Sequence, residues 1–192
     1  MIKRLFIILI LASLPGMLAY AAAPSTNVYD IEVLVFENRL PDLEGGELWA
    51  RNPDKSASTD LNDAVSVGEK PATDSALSAT AAALESSGRH HVLAHLHWQQ
   101  SAEAKSVSKP VKVVSADGAL EGALRFYSSR FLLLDVNLIL REAVSGGMSA
   151  GAGQIAPAYR LTEARRVKSS ETYYFDHPKF GALVRVSPVK AN

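Results

Sequence analysis

LEGALRFYSSRFLLLDVNLILRE, residues 120–142, is the longest extended segment in the chain. Leu132, Leu134, Val136, Leu138 and Leu140 fall on one side of it, and Asp135, Asn137 and Arg141 on the other. That period of two is the mark of a β-strand with one face against a core. Ser128-Ser129 reads as a bend or bulge within it. The same alternation recurs elsewhere. Residues 28–36 carry Tyr29, Ile31, Val33 and Val35 against Asp30 and Glu32, then turn apolar on both sides at Leu34 and Phe36, as a strand entering the interior does. Residues 90–98, HHVLAHLHW, set Val92, Ala94, Leu96 and Trp98 against His91, Leu93, His95 and His97. Further strands are expected at 111–114, from Tyr159 to Lys168, and at 182–187.

Against this background one helix is expected, at residues 74–87. Thr73-Asp74 offers an N-cap, Leu77, Ala81 and Leu84 recur at helical spacing, and Gly88 stands at the stop. The sequence therefore predicts a single α+β domain, a largely antiparallel sheet of five or six strands with one clear helix. Residues 38–72 are rich in Pro, Gly, Asp, Ser and Asn and read as a long surface loop pinned by Trp49.

Lys3 and Arg4 precede an apolar run from Leu5 to Leu14, and Ala19-Tyr20-Ala21 supplies a small-x-small cleavage pattern. Residues 1–21 are thus expected to be a secretory signal peptide, with the domain at 22–192. The run is too short to span a bilayer. With Lys3 and Arg4 removed, the 20 basic residues become 18, facing 20 acidic ones, a balance that argues against nucleic acid as partner. The chain has no cysteine, which excludes disulfides, a thiol nucleophile, a thiolate metal site and a lipid anchored through cysteine.

Three local patterns suggest chemistry. His95 and His97 share one face of a strand and could join a third ligand, with His177 the obvious donor, in a metal site that would serve a metal-assisted envelope hydrolase. Gly147 to Gly151, GMSAG, matches a nucleophile elbow, but glycines and Pro157 follow where the elbow needs a helix. Ser106 to Lys109 fits Ser-x-x-Lys but sits in a polar linker before Pro110. No phosphate loop or other cofactor motif is present. In SSETYYFDHPKFGALVRV, residues 169–186, Pro178 predicts a type I turn with Asp176 accepting from the turn amides and Gly181 easing the exit. As a strand, RLTEARRVK places Arg160, Arg166 and Lys168 on one face and Arg165 on the other.

RHHVLAHLHWQQ, LEGALRFYSSRFLLL and RLTEARRVKSSETYYFDHPKFGALVRVSP resemble the CsiV family of periplasmic peptidoglycan-binding proteins, as do the signal peptide and the opening strand. The C-terminal block is the most specific: two arginines, Ser-x-Glu, aromatics, Asp-His-Pro, then a glycine before the last strand. The chain has His91, Leu133 and Tyr173 where family members often carry tyrosine, histidine and histidine, so those family residues are not essential to any activity it shares. The resemblance implies a non-catalytic protein of the Gram-negative envelope, without cofactor. Such a protein binds peptidoglycan and helps an outer-membrane lipoprotein activate a class A penicillin-binding protein. The candidate ligand-binding residues are then Arg165, Arg166 and Lys168 for stem-peptide carboxylates, Trp98, Tyr173 or Tyr174 for a sugar face, and His177.

Overall fold

Residues 120–142 form two strands joined by a reversal at 129–131, where the Ser129 amide donates to the Phe131 carbonyl at 2.9 Å. The computed structural model describes residues 27–39, 61–67, 75–142 and 158–189. Within them lie eight strands and one helix. These are β1 (Val28–Asn38), α1 (Ser78–Ser86), β2 (His90–Ser101), β3 (Val111–Val114), β4 (Leu120–Ser128), β5 (Leu132–Arg141), β6 (Ala158–Val167), β7 (Glu171–His177) and β8 (Phe180–Pro188). The α+β class and the antiparallel pairing hold, but eight strands stand where five or six were expected, two more than the six segments placed from the sequence. One is gained because the bend at Ser128-Ser129 is a full hairpin. The other is β7, whose mixed polar and aromatic residues read as a motif in front of a turn.

The strands make two four-stranded antiparallel sheets, β2-β1-β8-β7 and β3-β4-β5-β6. Their inner faces share one hydrophobic cluster. It contains Ile31, Val33, Val35 and Trp98 with Phe175, Val184 and Val186 from the first sheet, and Leu124, Phe126, Leu134, Val136, Leu138 and Leu161 from the second. Tyr29 of β1 meets Phe126 of β4 edge to face, centroids 5.4 Å apart. The edges also approach each other, β6 against β7 and β2 against β3. The chain crosses between sheets at both places, at one of them through a tight turn where Ser170 takes a φ of 67°. Two sheets packed face to face with alternating side chains are the expected answer to period-two strands too long for one flat layer.

β1 is the central strand that the apolar shift at Leu34 predicts. Ile31 to Phe36 are buried without interruption, Ile31, Val33 and Val35 into the shared core and Leu34 and Phe36 outside it, on the far side of the first sheet. The helix is shorter than expected, and its stripe is Leu77, buried just ahead of it, with Ala81 and Leu84 partly buried. Gly88, at φ +67°, ends it as predicted. Thr73-Asp74, most of the segment 38–72 expected to be a loop, the expected signal peptide at 1–21 and the GMSAG segment lie outside the described residues. Of the loop, Val65 pairs with Val111 in a parallel bridge on the free edge of β3.

Candidate functional site

Register assigns every strand residue to an inner or an outer face, and the two outer faces differ in charge. On the first sheet the outward positions of β1, β8 and β7 include Asp30, Glu32, Arg185 and Asp176, with His95 and His97 from β2. Glu32 is only 4% exposed. Its carboxylate accepts from the backbone amides of Ala76 at 2.8 Å and Leu77 at 3.1 Å, from the Ser75 hydroxyl, and from His95 Nε2 at 2.7 Å. A side chain from β1 thereby satisfies the free amides at the approach to α1. Burial pushes the Glu32 carboxyl up, but the donors from Ser75, His95, Leu77 and Ala76 outweigh it and hold it below the ordinary glutamate range.

Serine, histidine and glutamate side by side suggest a hydrolase, yet the geometry is wrong for one. Ser75 Oγ, at 3.3 Å, and Glu32 both meet the same ring nitrogen of His95. A proton relay needs them on opposite nitrogens. His97 is buried beside Asp30, its Nε2 3.6 Å from Oδ1, and its Nδ1 has no hydrogen-bond partner among the described residues.

His177 is elsewhere. It is 5% exposed and points inward, its ring 5.2 Å from Phe180 and 5.8 Å from Tyr159. Its Nδ1 accepts the Lys179 amide at 3.1 Å, so the imidazole itself closes the 177–180 turn. Asp176, expected to do this, instead accepts the Tyr174 hydroxyl at 2.6 Å. Burial lowers the His177 pKa, opposed by the nearby Asp176. Among the described residues no three His, Asp or Glu side chains come together in a way that could hold a metal ion, and His177 is inside the sandwich while His95 is on its outer face.

Of the expected sugar-stacking rings, Trp98 is 3% exposed in the core, its indole N–H donating to Gln100 Oε1 at 2.8 Å, so neither ring face is open to a sugar. It does border a cleft of about 360 Å3 at the β2–β3 seam, with Val65, Val107 and Lys109. Tyr173 packs against the core, its hydroxyl donating to Glu171 and accepting the Lys168 amide. Tyr174 is 43% exposed and stacks on Phe36, centroids 6.2 Å apart, above Gly181. A Cβ on Gly181 would lie 2.6 Å from Tyr174 Cε2. Close approach, not φ, is why this position is glycine.

The cations separate too. Arg165 lies in the seam between the sheets, holding Glu163 through two guanidinium nitrogens, donating to the Tyr174 carbonyl at 3.0 Å and stacking on Phe175 at 4.8 Å. Lys168 is at the β6–β7 turn, 3.5 Å from Glu171. Arg166 faces outward from the second sheet, as its alternation with Arg165 predicts.

That outer face is the basic one. Its outward positions carry Lys112, Arg125, Arg141, Arg160 and Arg166 against Glu121 and Asp135. Both carboxylates are already engaged: Glu121 by Arg141, and Asp135 by Lys105 at 2.7 Å and the Tyr127 hydroxyl at 3.1 Å. Lys112, Arg125 and Arg166 have no carboxylate partner among the described residues. Lys112 and Arg125 were missed from the sequence because each stands alone in its strand. Only the pairing of β3, β4, β5 and β6 puts them on one face with Arg166.

A protein-family model described as "Peptidoglycan-binding protein, CsiV" matches residues 4–189. No curated protein and no solved structure matches the chain. No helix among the described residues is long and apolar enough to cross a membrane.

Proposed function

Because the chain belongs to the CsiV family, on a match spanning residues 4–189 of its 192, we propose that it is a non-catalytic periplasmic protein that binds peptidoglycan. In this reading residues 1–21 direct secretion and the remainder acts as an adaptor. It supports cell-wall synthesis by helping an outer-membrane lipoprotein stimulate a class A penicillin-binding protein. The family match names the ligand, and one structural observation supports the place. The outer face of the second sheet presents five cations against two carboxylates that the protein itself neutralises.

Peptidoglycan is an anionic polymer whose stem peptides carry carboxylates. A face with cations in excess of carboxylates attracts such a polymer over roughly a Debye length, and arginine then fixes single carboxylates by paired hydrogen bonds. Tyr174 on the opposite sheet is the exposed ring suited to lie against a sugar. Arg165 and His177 position the scaffold in this scheme, since their polar atoms are taken up in the seam and the turn.

Co-sedimentation with isolated sacculi across a salt series tests it. Binding that weakens steadily as salt rises is the expected result; absence of binding at low salt overturns the reading. The adaptor role is tested apart from this, by capture of the purified lipoprotein activator on the immobilised protein.

A further inference from the structure

The β4–β5 reversal leaves an aromatic ring in water. Phe131 is 38% exposed and lies outside the core cluster. Across the outer face of the second sheet, Arg166 of β6 stands opposite Leu133 and lays its guanidinium on that ring, Cζ 3.4 Å from the centroid. Arg130, the ring's neighbour in the turn, places its own Cζ 5.4 Å from the same centroid. Two guanidinium groups thus share one phenyl ring, and neither has a carboxylate partner among the described residues. The nearest outward carboxylate on β5, Asp135, is held by Lys105 and Tyr127.

Arginine stacks on a ring through its flat face and keeps its N–H donors free at the edge. The ring therefore fixes the orientation of Arg166 before any ligand arrives, which removes much of the ordering cost of a bidentate bond. Two like charges beside one ring also repel each other, and an anion bridging them relieves that repulsion.

We propose that Arg130, Phe131 and Arg166 form a clamp for a planar carboxylate, and that its ligand is a carboxylate of a peptidoglycan stem peptide. The assignment rests on the peptidoglycan-binding reading and adds to it the part of the polymer that is held. The glycan strand offers hydroxyls and acetamides, which give two cations no charge to neutralise.

The test uses the purified protein with intact sacculi, with sacculi stripped of stem peptides by an amidase and then amidated at the lactyl carboxylates that this cleavage exposes, and with a soluble stem peptide whose carboxylates are free or all amidated. The expected result is that stripping or amidation weakens binding about tenfold or more. Arg166→Ala and Phe131→Ala should weaken binding to intact sacculi and be insensitive to stripping. Arg166→Lys, which keeps the charge and loses the fork, should fall between Arg166→Ala and the parent protein. Equal binding of the parent protein to intact and stripped sacculi, or an Arg166→Ala variant that binds intact sacculi as the parent does, overturns the clamp while the peptidoglycan reading stands. Failure of the parent protein to bind intact sacculi at low salt overturns both.

Discussion

The two outer faces of the sandwich arise from the same alternation and have opposite fates. On the first sheet the polar positions are turned to the protein's own use: Glu32 caps the approach to α1, Asp176 holds Tyr174, and Leu34 and Phe36 are buried beyond the main core. On the second sheet the charged positions are mostly cations, and the two carboxylates present are too few to pair them all. A face whose charges are engaged internally contributes to stability. A face with cations left over is free to meet an anion. Substitutions on the first should therefore move stability and leave sacculus binding alone, and substitutions on the second should do the reverse.

The largest effect is expected where both faces depend on one core. A Cβ at Gly122 would sit 2.3 Å from the Asn137 carbonyl oxygen and 2.8 Å from Leu138 Cα, backbone atoms across the β4–β5 pair that cannot swing aside. Gly122→Ala should cost about 3 kcal/mol in a denaturant titration, with binding lost only as the unfolded fraction grows.

Next comes the cap on the first sheet. Glu32→Ala leaves two amides and a hydroxyl without their acceptor and should cost about 2 kcal/mol, while the folded protein still binds sacculi. If it instead abolished binding at unchanged stability, the roles of the two faces would be exchanged.

Acid should weaken the first sheet selectively. His177 and Glu32 both have folded-state pKa values below their ordinary ones, so each contributes fully above the ordinary value and loses that contribution as pH falls. Melting temperature should begin to drop below the ordinary histidine value of 6.5 and drop again below the ordinary glutamate value of 4.5. His177→Gln should remove the first step. A stability flat from neutral pH to 4.5 would show that His177 does not titrate with folding.

The smallest effect on stability belongs to the second sheet. Lys112→Ala should change the unfolding free energy by less than about 0.5 kcal/mol, yet weaken sacculus binding and flatten its dependence on salt. Binding that ignores this substitution confines recognition to the hairpin clamp.

Much of the scaffold was legible because alternation reports burial directly. Residues 28–36 and 90–98, the helix near Ala81 and its Gly88 stop were all placed from spacing alone. The hairpin at 129–131 was not, since Ser128-Ser129 signals a change of direction without saying how large. β7 was hidden for another reason: Tyr173, Tyr174, Asp176 and His177 look like a functional cluster until pairing with β8 sends two inward and two outward. The candidate site was legible only in part. Arg165 and Arg166 could be put on opposite faces from sequence, but which face was a seam and which an open surface depends on the neighbouring strand.

What the sequence determined by itself was local: an antiparallel β protein with one helix, the strands' inner and outer sides, and the absence of any thiol chemistry. Alternation and composition carry that information within a few residues. What only the tertiary structure decided was company. Lys112, Arg125 and Arg166 lie far apart in the chain, and it is strand pairing that gathers them on one face while Glu32 is drawn away to bind the amides ahead of α1. Whether a charge is free or engaged depends on what lies across the sheet from it, and that is a property of the fold.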